Sequence, residues 1–112
     1  MKSDIPYLEH IFDSIDAIET YVAAGRDAFM GQRMIQDAVV RNFEIIGEAA
    51  GRLAPSIRAA EPDTCSRIIA FRNRLIHGYW SVDNTLVWDV IVQDLPRLRS
   101  TVIALLARGE RA

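Results

Sequence analysis

"QRMIQDAVVRNFEIIGEAAGRL", Gln32 to Leu53, decides the fold. Its apolar residues Ile35, Val39, Phe43, Ile46, Ala50 and Leu53 recur at three- and four-residue intervals, which stacks them on one face of an α-helix. Asp37, Arg41, Glu44, Glu48 and Arg52 repeat at the same intervals on the other side, where opposite charges can pair one turn apart. A half-buried strand would alternate every second residue, and no such run occurs in the chain. The charged ladder reads most simply as a solvated salt-bridge face. Gly47 and Gly51, with Ala50 and Ala54 beside them, leave room for a second helix to approach closely, within the chain or from another subunit. Asn42, at the edge of the apolar stripe, needs a hydrogen-bond partner.

Outward from this helix the pattern stays helical. "SDIPYLEHIFDSIDAIETYVAAG" predicts a first helix with Ser3 and Asp4 as caps and Pro6 in its first turn. Its stripe is Ile5, Leu8, Phe12, Ile15 and Val22, and Gly25 closes it. His10 falls beside Glu9 and Asp13 and reads as a solvated surface histidine. Pro55 and Pro62 bracket room for one short helix. Asp63 or Thr64 caps the next long helix, which runs to Gly78. Asp83 caps another, containing Leu86, Val87, Val90 and Ile91. Proline at position 96 fits a first turn and disrupts an interior, so Asp94–Pro96 restarts the chain. The last helix buries Leu95, Leu98, Val102, Leu105 and Leu106. Four long helices on short connections, with one additional short helix, predict an all-α up-and-down bundle.

With 112 residues, half of them hydrophobic, the chain is expected to be one domain over 1–112 with a real core. No apolar run reaches the roughly 20 residues of a membrane span, and the acidic N-terminus lacks a signal-peptide core, so a cytoplasmic location is expected. Cys65 is the single cysteine, which excludes an internal disulfide. His10, Cys65 and His77 have no metal-ligand spacing, and no metal or cofactor is expected. The net charge of −2 offers no general footprint for nucleic acid, so any polyanion would be bound locally.

The anomaly is "RNRLIHGYW", Arg72 to Trp80. On a helix turning roughly 100° per residue, Cys65, Ile68, Ile69, Leu75 and Ile76 share an apolar face with Arg72 near its middle. A guanidinium cannot shed its charge there. It needs a carboxylate partner, a wet cleft or a second subunit. Arginine offers a planar fork of donors to a phosphate, and His77 titrates near neutrality and can move a proton. Together they suit phosphodiester chemistry on RNA, with the 2′-OH as internal nucleophile and Arg72 stabilising the charged transition state. One Arg and one His make a sparse site, which a two-fold dimer would double. Asn73 would orient substrate or partner groups. Arg67 and Arg74 either contact the RNA backbone or are solvated charges, and Trp80 and Trp88 read as packing residues rather than base-stacking platforms.

The same stretch resembles the signature of HEPN domains, an arginine, four to six intervening residues and then a histidine. Arg72, Asn73, His77 and Tyr79 match the Arg-x4-His-x-Tyr form of the HepT-like toxins. "QDAVVRNFEIIGEAAGRL" and "WSVDNTLVWDVIVQDLPRL" resemble the flanking segments, so the similarity spans most of the chain. The resemblance implies a dimeric helical domain that cleaves RNA without a metal, with the motifs of both subunits forming one cleft. It also implies a type VII-like toxin–antitoxin pair whose partner is a nucleotidyltransferase-fold (MNT) antitoxin. In some pairs that antitoxin adds AMP to the motif tyrosine, here Tyr79, placing bulk and negative charge at the cleft. The alternative is a non-catalytic helical protein that binds a nucleotide or docks a separate nucleotidyltransferase. A third possibility is a structural dimerisation bundle in which the motif is an internal polar network.

Overall fold

The computed structural model describes residues 4–59 and 61–111, without the side chains of Tyr79, Glu110 and Arg111. Among the described residues seven α-helices follow one another: α1 (Ile5–Tyr21), α2 (Arg26–Gly31), α3 (Arg33–Gly51), α4 (Pro55–Arg58), α5 (Pro62–His77), α6 (Asn84–Gln93) and α7 (Leu95–Arg111). A 3-10 turn, Tyr79–Ser81, links α5 to α6, and there is no strand among the described residues. The all-α expectation holds. Two short helices are present where one was expected, because α2 was hidden in the link between the first two long helices.

Helix α3 packs between α1 and α5, α7 packs against α1 and touches α5, and α6 lies beside α7. The buried faces meet in one core built from Leu8, Ile11, Ile15 and Ile18 of α1 and Val39, Phe43, Ile46 and Ala50 of α3, among others. The stripe of α1 is therefore centred one residue away from the expected phase: Phe12 is only half-buried, and Ile11 and Ile18 take the interior. Phe12 instead lies under the Arg99 guanidinium, 4.9 Å from ring centre, while Arg99 also binds Asp16 at 2.7 Å and Glu19 at 2.8 Å. These contacts stitch α7 to α1.

Several helix ends differ from expectation. The cap assigned to Ser3 lies outside the described residues. Asp4 stands at the N-cap of α1 without a side-chain cap bond; its buried Oδ1 accepts from the Ala54 N–H at 3.2 Å, tying the chain start to the α3–α4 link. Helix α1 ends at Tyr21. Gly25, at φ 98°, is the N-cap residue of α2, a left-handed geometry that glycine adopts without a Cβ penalty. Gln36 reaches back from α3 to the Phe29 and Met30 carbonyls, at 2.9 and 3.1 Å, so the end of α2 is satisfied by a side chain. Glu61, followed by Pro62, begins α5, displacing the expected Asp63 or Thr64 cap. Asp83 does cap α6, its Oδ1 accepting from Thr85 N at 3.0 Å and Leu86 N at 3.3 Å. Asn42 donates to the Ala38 carbonyl one turn earlier, at 2.9 Å.

Candidate functional site

On α5 the residues fully inside are Thr64, Cys65, Ile68, Phe71 and Leu75. Phe71, omitted from the expected apolar face, packs edge-on against Phe43 with ring centres 5.1 Å apart. Its burial rotates the core face by one residue. Ile69, Arg72 and Ile76 therefore form a half-buried flanking line, and Arg72 does not occupy the middle of the apolar face.

Arg72 satisfies two of its three options at once. Its Nη2 binds Glu48 Oε2 at 3.0 Å, and its Nη1 donates to Asn73 Oδ1 at 2.9 Å. The side chain also lines a groove of about 520 Å³ between α1, α3 and α5. Its methylenes lie directly on Gly47: a Cβ built there would overlap Arg72 Cβ and Cγ and stand 3.2 Å from Cδ. The close approach read from the Gly47–Gly51 spacing is thus used by one glycine only, since a Cβ at Gly51 would meet nothing within 4 Å. Gly47 supplies the space and Glu48, the next residue, supplies the charge.

Glu48 is shared. Its other oxygen, Oε1, accepts from Arg52 Nε at 3.0 Å and binds Nη2 at 2.9 Å. That hydrogen bond and the charge of Glu48 raise the Arg52 pKa above its ordinary value, with Tyr7 adding in the same sense. Of the five N–H donors of Arg72, one is given to Asn73 and one to Glu48. The Nε donor is buried with no partner among the described residues, and one N–H on each terminal nitrogen is not engaged by Asn73 or Glu48.

The other motif residues disperse. His77 is the last residue of α5, exposed, and makes no hydrogen bond among the described residues. Five residues on a helix amount to about 140° of rotation, so His77 and Arg72 point in different directions, and His77 does not line the Arg72 groove. Gly78 ends the helix at φ −121°, its N–H bonded to the Arg74 carbonyl at 3.0 Å. The backbone of Tyr79 opens the 3-10 turn; its side chain lies outside the described set. Arg67 is paired with Asp94 at 3.0 Å, tying α5 to the start of α7, and Arg74 is exposed along the same side.

Sequence reasoning missed the α1 contribution. Tyr7 and His10 line the groove beside Arg72, with their rings edge-on at 6.5 Å. A periodicity argument assigns His10 to the outer face of α1 but carries no information about which helix packs beside it. Trp88 packs on Phe29 at 5.5 Å as expected, whereas Trp80 is 73% exposed. Among the described residues no three His, Cys, Asp or Glu side chains are grouped to hold a metal ion. No helix there is long and apolar enough to cross a membrane.

A family profile described as ribonuclease HepT-like matches residues 11–105. The chain is 33% identical over 110 residues to a candidate RNase of Caldanaerobacter subterraneus, covering 96% of this chain and 98% of that protein. It is 33% identical over 100 residues to a protein of Thermococcus cleftensis named as a probable ribonuclease HepT, covering 88% and 91%. It is 36% identical over 109 residues to a Methanocaldococcus jannaschii protein named both gamma-glutamylcyclotransferase and candidate RNase; this covers 95% of the chain and only 49% of that protein. No solved structure gives a significant match.

Proposed function

Because this chain belongs to the ribonuclease HepT-like family, we propose that it is a metal-independent endoribonuclease toxin whose active cleft forms between two copies of the chain. The observation that carries the proposal is the separation of the motif. Arg72 is held in a groove by Glu48 and Asn73, while His77 stands exposed at the helix end about 140° around. One protomer does not bring them onto the same phosphate, and a two-fold pairing of α5 helices would supply arginine and histidine from both copies. In this reading the helices pack as an up-and-down bundle with α5 at the dimer face.

The chemistry requires no external nucleophile. A histidine removes the proton of the 2′-OH, which attacks the adjacent phosphorus. The P–O5′ bond breaks, a 2′,3′-cyclic phosphate forms, and the second histidine protonates the leaving 5′-oxygen. The two remaining N–H groups of each Arg72 stabilise the extra charge on the phosphoryl oxygens. Asn73 fixes the Arg72 fork, and Arg67 and Arg74 contact the flanking RNA backbone. Tyr79, two residues after His77, is the regulatory position: AMP added there by a nucleotidyltransferase-fold antitoxin, in a type VII-like pair, would bring negative charge against the RNA path. A second reading, a docking partner of a separate nucleotidyltransferase that holds a nucleotide phosphate at Arg72 and cleaves nothing, is favoured by the absence of His77 from the Arg72 groove among the described residues.

The test is incubation of the purified protein with total RNA in EDTA, beside a folded His77→Ala variant. Cleavage by wild type alone, with cyclic phosphate ends, is expected. Cleavage by both proteins would locate the chemistry elsewhere. Cleavage by neither, with Tyr79 unmodified by mass, would favour the docking partner.

A further inference from the structure

The charged ladder of α3 is not merely a solvated face. Two grooves open along it, of about 520 and about 530 Å³, and they share Arg41 and Glu44. Tyr7 lines the first and Trp80 the second, so an aromatic side chain stands toward each end of one continuous trough. From Arg33 to Arg52 the ladder extends about 28 Å at the α-helical rise. Resting on the ribonuclease reading, we propose that single-stranded RNA lies along this trough, its bases stacking on Tyr7 and Trp80 on either side of Arg72.

Three observations point to that occupant. Trp80 is 73% exposed beside Arg33, Asp37, Arg41 and Asn84, a setting in which an indole serves as a platform for an unstacked base. Four arginines (33, 41, 52 and 72) line the trough against three carboxylates, Asp37, Glu44 and Glu48, so these charges sum to +1 in a chain of net charge −2. The outer ion pairs are loose, Arg33–Asp37 at 3.6 Å and Arg41–Glu44 at 3.9 Å, with both arginines largely exposed. Such pairs contribute little and exchange readily for phosphate oxygens. Duplex RNA keeps its bases stacked inward and offers nothing to either platform.

The probe is a mixed-sequence single-stranded RNA, 2′-O-methylated throughout, which lacks the attacking hydroxyl and stays intact. Its affinity is measured by fluorescence anisotropy for wild type, Trp80→Ala, Trp80→Phe, Tyr7→Ala and, on the outer side of α7, Ile103→Ala. Trp80→Ala and Tyr7→Ala are each expected to weaken binding about tenfold. Trp80→Phe recovers most of the loss, Ile103→Ala binds as wild type, and a matched duplex binds more weakly. With up to four arginines contributing about −0.7 each on a single strand, the log–log salt slope stays shallower than about −3. Wild-type affinity in folded Trp80→Ala, or equal affinity for duplex, overturns the proposal. So does loss of self-association in Trp80→Ala with RNA binding intact, which would make this face a protein interface. The probe cannot be cleaved, so failure here is separable from failure of the nuclease reading, which rests on His77→Ala.

Discussion

Gly47→Ala and Gly51→Ala are the same change, four residues apart on the same helix, and the structure gives them opposite signs. In a helix interior alanine is favoured over glycine by about 1 kcal/mol. At Gly51, the last residue of α3, nothing lies within 4 Å of the new methyl group, so part of that gain, roughly 0.5 kcal/mol, should appear as added stability. At Gly47 the methyl group would overlap Arg72 Cβ and Cγ. A Cβ is one bond from its backbone and cannot swing aside, so α5 itself must move off α3. Overpacking costs of about 1–3 kcal/mol apply, toward the upper end, leaving a net loss of about 1–2 kcal/mol after the propensity gain. The two variants should therefore differ by roughly 2 kcal/mol, or about 8 °C in melting temperature for a domain of this size. Urea denaturation at fixed protein concentration, with unchanged m-values, measures the difference. A Gly47→Ala protein as stable as wild type would refute the close seating of Arg72 on α3 and the account of Arg72 positioning built on it.

Asp83→Ala removes the acceptor of two N–H groups at the start of α6 and should cost about 1 kcal/mol in chemical denaturation; no loss would mean that the cap is idle. Phe71→Ala should cost about 3–5 kcal/mol, because the ring is buried against Phe43, and a loss below 1 kcal/mol would return Phe71 to the surface. Burial raises the Cys65 pKa, with Arg58 lowering it and Glu61 raising it. The folded thiol thus stays protonated where the unfolded one ionises, so this contribution to stability is full below the ordinary value of 9.0 and declines as pH rises through it. Cys65→Ala should lack that alkaline decline, seen by melting at stepped pH, and wild-type Cys65 should react with a thiol reagent only on unfolding.

The long helices were legible because their apolar intervals are regular, and the Asp83 cap and the proline restart at position 96 because each rests on local chemistry. Helix α2 was not. Its six residues are too few to show a period, and what defines it is Gln36 returning from the next helix and Gly25 at positive φ. The site was half-legible. An arginine beside an apolar stripe announces a partner, and the structure supplies Glu48, a residue already visible in the α3 ladder. The phase of α5 was misread because Phe71 was left off its apolar face. The place of His10 and Tyr7 in the groove depends on which helix faces α3, which no single-helix pattern encodes.

If the chain is the ribonuclease proposed above, the Arg72–Glu48 pair constrains how its site works. A phosphate arriving at Arg72 meets a guanidinium already partly neutralised, which weakens the attraction unless Glu48 withdraws. Glu48 has reason to stay: its second oxygen is held by Arg52, so leaving Arg72 for solvent would also strain that contact. The phosphate must then use the N–H on each terminal nitrogen that neither Glu48 nor Asn73 has taken, which fixes its approach to the open edge of the fork. The pair costs binding strength and returns orientation. Orientation is what a transition state rewards, since a group held in place need not be reorganised as charge develops on the phosphoryl oxygens. On this argument removing the Glu48 charge lets RNA bind more tightly while slowing its cleavage, so Glu48→Gln should lower KM and kcat together, and a raised KM at unchanged kcat would show that Glu48 has no part in aligning the arginine.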